Sequence, residues 1–169
     1  MDEQTFWAII DTTRPPNADQ RRHLAALRKH LRGLAPGEIA DFQRHLDAAM
    51  ARAQHWDLWD AAALIKGWCS DDGFIYFCLW LIAQGPAAYR AALDDPDSLA
   101  GVVRKGGMTS CSFELLWGVA KEVYEKVAGH EMPANDVAWP SRPAGKRDDL
   151  QNEAQTRRRF PNLVNRFGH

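Results

Sequence analysis

The chain lacks most of the features that would tie it to a specialised class. It holds three cysteines in 169 residues, with no Cys-x-x-Cys pair, which argues against a disulfide framework and fits a reducing compartment. No charge of one sign dominates. The 21 Lys and Arg residues stand against 22 Asp and Glu, a net charge of -1, so whole-molecule attraction to nucleic acid or to an anionic membrane is not expected. Long apolar runs are missing too: the longest, Phe74 to Ala83, is about half of what a bilayer crossing needs. The opening Met1-Asp2-Glu3-Gln4 lacks the basic start and apolar stretch of a signal peptide, and a cytoplasmic protein with no membrane partner is expected. Histidines at 23, 30, 45, 55, 130 and 169, most of them expected at the surface, show no His-Glu-x-x-His or comparable spacing, so neither zinc nor another cofactor is called for. There is no Gly-x-Ser-x-Gly, dinucleotide fingerprint or kinase set. No stretch alternates polar and apolar residues long enough to predict a strand, and no repeat is found.

What is present is helical. A hydrophobic share of 46% and a charged share of 25% suit one globular domain spanning 1–169, long enough to bury a core. The stretch Ser70-Asp71-Asp72 opens an unbroken apolar run that ends at Gly85. Apolar residues on every side predict a helix buried all round, over about 70–84.

Around it, Phe6, Trp7, Ile9 and Ile10 predict a short helix that stops before Thr12 and the Pro15-Pro16 pair. Leu24, Leu27, Leu31 and Leu34 predict an amphipathic helix from Asn17 or Asp19 to Gly33, and Ile39, Phe42, Leu46 and Met50 a helix opened by Pro36. His55 to Ile65 reads as a helix stopped by Gly67, and Trp56, Trp59, Trp68 and Trp80 are expected to be buried with it. Pro86 opens a short helix; Asp95 caps the next, with Pro96 in first position. Leu116, Val119, Val123 and Val127 predict a helix from Ser112 to Ala128, with Glu122 and Lys126 paired on its outer face. Pro133, Pro140 and Pro143 make 132–147 an irregular wrapping segment anchored by Trp139, and 148–169 a C-terminal helix and tail. The fold class is all-α, a compact multi-helix bundle around the buried central helix.

Set beside Asp95-Pro96-Asp97-Ser98-Leu99-Ala100, the pattern Ser70-Asp71-Asp72-x-Phe74-x-x-Phe77-x-x-Trp80-Leu81-Ile82-x-x-Gly85 resembles the DUF4240 family of bacterial proteins. Phe6-Trp7, Leu58-Trp59-x-Ala61-Ala62 and Tyr124-Glu125 leading to Gly129-x-Glu131-Met132-Pro133 agree with it. The resemblance brings no established activity. Some relatives accompany WGR domains in proteins linked to molybdate regulation, which implies a regulatory or interaction role. This chain departs from the pattern at Cys78, where Arg is expected after Phe77, so a carboxylate–guanidinium pair inside the motif is missing or supplied from elsewhere.

Two readings of Asp71-Asp72 stand side by side. Ser70 as N-cap with two acids in the first turn is what unpaired amides and the helix dipole prefer. Alternatively, the helix presents its polar end at a ligand or protein partner, with Asp57, Asp60 or Glu114 converging on Ser70, Asp71 and Asp72. The expected role is a non-enzymatic binding or regulatory module; the alternative is a hydrolase-like enzyme using Asp71 and Asp72 for acid–base or metal-assisted chemistry. Lesser candidates are Cys111 as a reactive thiol, Lys105-Gly106-Gly107-Met108-Thr109-Ser110 as an anion cradle, and the basic run Arg157-Arg158-Arg159.

Overall fold

The apolar periodicities become helices, and the computed structural model, which describes residues 1–103, 111–147 and 149–168, is all-α. Among those residues the only strand-like pairing is an isolated bridge between His55 and Ala144. The proposed anion cradle at 105–110 lies outside the described residues.

The first helix, α1 (Glu3–Thr13), is capped by Asp2, whose carboxylate accepts from the Thr5 amide at 2.8 Å. It runs past the predicted stop because Thr12 and Thr13 turn their hydroxyls back onto the carbonyls of Ala8 and Ile9. Arg14, extended ahead of Pro15, ends it. Asp19 caps α2 (Gln20–Leu31), and Pro36 sits in the first turn of α3 (Pro36–Arg52), whose Glu38 carboxylate reaches back to the Ala35 amide. α4 (Trp56–Lys66) stops at Gly67 in the left-handed conformation. Ser70 then caps α5 (Asp71–Ala83), the central helix, its hydroxyl accepting from the Gly73 amide at 3.1 Å.

From Phe74 to Ala83 every α5 side chain except Ile75 and Tyr76 is buried. α5 touches α1, α3, α4 and the following helix α6 (Pro86–Asp94). Between α5 and α6, Gly85 holds φ 95°, and a Cβ there would lie 2.5 Å from Asp11 Oδ1; glycine is required on both counts. An aromatic row links α4 to α5. Trp59 stacks on Phe74 with centroids 4.6 Å apart, and the row continues through Phe77 to Trp80.

Trp68 departs from expectation. It is 74% exposed, because the left-handed Gly67 turns the chain so that Cys69 faces inward and its carbonyl takes the Trp59 indole N–H at 3.0 Å. Cys78 is wholly buried, so position 78 on this helix has no room for a solvated guanidinium. Burial pushes its thiol well above the usual range. Cys111 is buried as well, its thiol pushed up to about 11 by burial, which removes it as a reactive nucleophile.

After a 3₁₀ turn at Pro96–Ser98, capped by Asp95, comes the short α7 (Leu99–Val102). A second 3₁₀ turn, Glu114–Leu116, precedes α8 (Val119–Ala128), so the predicted helix from Ser112 is broken at Trp117-Gly118. α8 packs on α3 and α2 through Val119, Ala120, Val123 and Tyr124, while Val127 in its last turn is left 41% exposed. The Glu122–Lys126 pair forms at 2.7 Å.

Beyond Gly129 the chain wraps as expected, but Trp139 is not the buried anchor; it is 44% exposed. Backbone bonds fix the segment instead: Ala144 accepts from Trp56 N at 2.9 Å and donates to the Gln54 carbonyl at 2.8 Å. The C-terminal part is two helices, α9 (Glu153–Arg159), capped by Asn152, and α10 (Pro161–Phe167). Their docking is specific. The buried Asp97 carboxylate accepts from the Asn162 amide at 3.1 Å, the Asn162 side chain at 2.7 Å and the Leu163 amide at 2.8 Å. It thus caps α10 from another part of the chain. Arg166 answers by donating to the carbonyls of Ala100 and Val103.

Two outcomes follow from this packing. Asp97→Ala leaves three N–H groups of α10 without an acceptor and should cost about 2 kcal/mol; urea unfolding, with faster amide exchange at Leu163 than in α5, checks it, and unchanged exchange at Leu163 would show that Asp97 is no tether. His23, expected at the surface, is buried at 3% exposure with Nε2 unpaired. Burial first, and the Arg14 charge second, push its imidazole down to about 4. The folded pKa lies below the unfolded value near ~6.5, so as pH falls the unfolded chain takes the proton first. Stability is therefore complete above about pH 6.5 and declines by on the order of 3 kcal/mol towards pH 4. His23→Leu should flatten this part of the pH–stability curve; parallel curves for the two proteins would exclude the assignment.

Candidate functional site

The six side chains singled out from the sequence do not form one cluster. Ser70 is occupied as the α5 cap, and Asp71 and Asp72 follow it, both exposed. Asp57 and Asp60 lie on α4 and face the C-terminal helices, where Arg159 pairs with both, reaching Asp60 at 3.7 Å. Since Asp60 is only 1% exposed, this arrangement holds α9 against α4 and needs the guanidinium. Glu114 is elsewhere, in the 3₁₀ turn beside α5, accepting the Tyr76 hydroxyl at 3.1 Å. Tyr76 stands one helical turn after Asp72, and the backbone of its carbonyl takes the Phe113 amide at 3.0 Å.

Asp72 and Glu114 therefore share a surface groove of about 800 Å³ whose walls come from α2, α3, α5, α8, the 114–116 turn and the wrapping segment at 132–135. Both act on the same phenol. The Glu114 hydrogen bond first, then burial and the charges of Glu114 and Asp72, raise the Tyr76 hydroxyl above its ordinary value.

A third carboxylate, Asp47 on α3, faces them across the groove. It is held by neutral donors only: Gln43 Nε2 at 2.9 Å, Trp117 Nε1 at 3.0 Å and Asn135 Nδ2 at 2.6 Å. The fourth, Glu122, is matched. Lys126 at 2.7 Å, then Arg28 at 2.9 Å, hold it below the usual carboxylate range. The remaining base of the groove, Lys121, is directed at Glu125, 3.9 Å away. Leu115 is 66% exposed and Trp117 38%, with Trp117 stacked on Trp139 at 6.3 Å. The groove is thus an acidic wall beside an uncovered apolar strip, and Asp71 is not part of its lining.

Sequence reasoning missed Tyr76, Asp47, Gln43, Leu115 and Trp117. Tyr76 hid inside the apolar run. Its place four residues after Asp72 was the signal that it shares that polar face. Asp47 and Gln43 carried the same four-residue spacing on the outer side of α3. Among the described residues no three His, Cys, Asp or Glu side chains converge in a way that could hold a metal ion, and no helix is long and apolar enough to cross a membrane.

A second hollow, of about 560 Å³, lies by Arg14, His23 and Trp80. Its cation is engaged: Arg14 pairs with Asp11 at 3.0 Å and donates to the Gln84 carbonyl at the C-terminus of α5.

With the geometry in hand, comparison with known proteins gives one match. A family model described as a protein of unknown function, DUF4240, covers residues 1–126. No curated protein and no solved structure matches the chain. The matched part contains every wall of the groove except 132–135.

Capping and site roles separate by stability. Ser70→Ala should cost about 1 kcal/mol in urea unfolding, whereas Asp72→Asn, exposed and without a partner, should stay within about 0.5 kcal/mol. Equal losses for the two would mean that Asp72 is part of the cap.

Proposed function

The chain belongs to the DUF4240 family, whose description assigns no function, and from that premise we propose that it is a non-enzymatic binding or regulatory module that docks a partner protein in the groove at Asp72, Tyr76, Glu114 and Trp117. One observation carries the reading: Leu115 and Trp117 are left uncovered beside Asp72 and Glu114, which have no ion-pair partner among the described residues. Scattered exposed apolar residues are ordinary. Here they line one groove, together with half-buried Ile75 and Met132, which is how protein-docking surfaces differ from the rest of a surface. Three buried cysteines suit a reducing compartment, and the cytoplasm is the place we assign it.

The alternative, acid–base or metal-assisted hydrolysis by Asp71 and Asp72, draws on the same helix end. It calls for a carboxylate desolvated enough to keep a proton near neutral pH, or for further metal ligands around the pair. Both residues are exposed, and Asp71 faces away from the groove lining, which is why binding is preferred.

Selection of a displayed random-peptide library against the whole chain tests the docking role. Selected peptides should lose about tenfold or more in affinity for Leu115→Asp and for Trp117→Ala, while Leu115→Asp keeps the parent melting temperature because its side chain is mostly in solvent. Peptides that bind both variants like the parent would move the docking surface elsewhere.

A further inference from the structure

We infer that the groove recognises an arginine: the partner segment docked there presents a guanidinium to Asp72 and Glu114, with its neighbouring apolar side chains covering Leu115 and Trp117. This rests on the docking role proposed above and adds what the docked segment must carry.

Charge is the first ground. Among the described residues Asp47, Asp72 and Glu114 have no ion-pair partner, and the two bases in the groove wall, Arg28 and Lys121, are directed at Glu122 and Glu125. An approaching cation meets, at Asp72 and Glu114, negative charge that no described side chain pairs.

The second ground is independent of the acids. Gln43, 8% exposed and part of the groove wall, donates through Nε2 to Asp47 but leaves its own Oε1 without a donor. Buried acceptors left unpaired are costly. Glu114 has one oxygen engaged by Tyr76, and Asp72 has none engaged by a side chain. The remaining oxygens of the exposed Asp72 and Glu114 are acceptors, and a guanidinium carries five donors where an ammonium carries three.

Shape separates the two cations further. A planar guanidinium lies flat on aromatic rings and bridges carboxylates with parallel N–H groups, which a compact, strongly hydrated ammonium does not. The groove offers Tyr76 and the Trp117–Trp139 stack for that purpose. The chain already uses such contacts within itself, as where the Arg147 guanidinium sits 4.9 Å from the centre of the Trp56 ring. The uncovered Leu115, finally, favours an arginine borne on a polypeptide with apolar neighbours over a free guanidino compound.

Three acetylated tripeptide amides, Leu-Arg-Leu, Leu-Lys-Leu and Leu-citrulline-Leu, are titrated into the ¹⁵N-labelled chain, with the Trp117 indole N–H, hydrogen-bonded to Asp47, as the reporter. The arginine peptide should shift that signal at least about tenfold more tightly than the neutral, isosteric citrulline peptide and more tightly than the lysine peptide. Its affinity should fall as salt is raised and weaken about fivefold in Glu114→Gln and in Asp72→Asn. Equal binding of arginine and citrulline peptides overturns the inference. So does silence of the indole towards all three while library-selected peptides still depend on Leu115, and in that case docking in the groove stands. Selected peptides indifferent to Leu115 would instead remove the docking role itself.

Discussion

The constraint on which the rest of the structure depends is that α5 is apolar around its whole circumference. Each large side chain it buries is worth about 1.5–3 kcal/mol, and no single partner can cover them all. Four helices are therefore drawn around it, α1, α3, α4 and α6. Such a rod is covered along most of its length, and both ends are finished with polar groups. Ser70 closes the first turn, and Arg14 donates to the Gln84 carbonyl beside the glycine that no other residue could replace. The two hollows described above lie by these two ends. The groove is the one where the rod emerges sideways, with Asp72, Ile75 and Tyr76 on the uncovered face of its first turns.

The C-terminal part, outside the stretch matched to the family, is held by charges and backbone groups that the matched part provides. Asp97 caps α10, Asp57 and Asp60 take Arg159, Trp56 lies under Arg147, and the backbone at 54–56 pairs with Ala144. Two of the acids that looked like site candidates are thereby explained as anchors. The wrapping segment in turn completes the groove: Asn135 reaches Asp47, and Trp139 stacks on Trp117.

How much of this was legible follows from the range of each interaction. The α5 cap, the Gly67 and Gly129 stops and the Pro36 start depend on neighbours within four residues, and each stands in the structure as the letters suggest. Trp68 was misread because apolarity does not reveal which way a chain turns after a left-handed glycine. His23 was misread because its burial comes from Phe113, ninety positions along, as well as from its own helix. For the candidate site, Asp72 and Glu114 were named in advance and share the groove, yet nothing local distinguished them from Asp57 and Asp60. That distinction needed Arg159, about a hundred residues away. Tyr76 and Asp47 act through contacts across 38 and 88 positions, which no periodicity encodes.

Two carboxylates of the groove, Asp47 and Glu114, are held in place by uncharged groups. Asp47 receives three neutral N–H groups from three separate parts of the chain, so its charge stays whole while its position is fixed. Glu114 is steadied by a phenol, again without neutralisation. A matched lysine or arginine would have fixed these side chains equally well and cancelled their field, as happens at Glu122. Holding anions with uncharged donors avoids the entropy of ordering them at the moment of binding. The bases that do stand in the groove wall, Arg28 and Lys121, are directed at Glu122 and Glu125 rather than at Asp72 or Glu114.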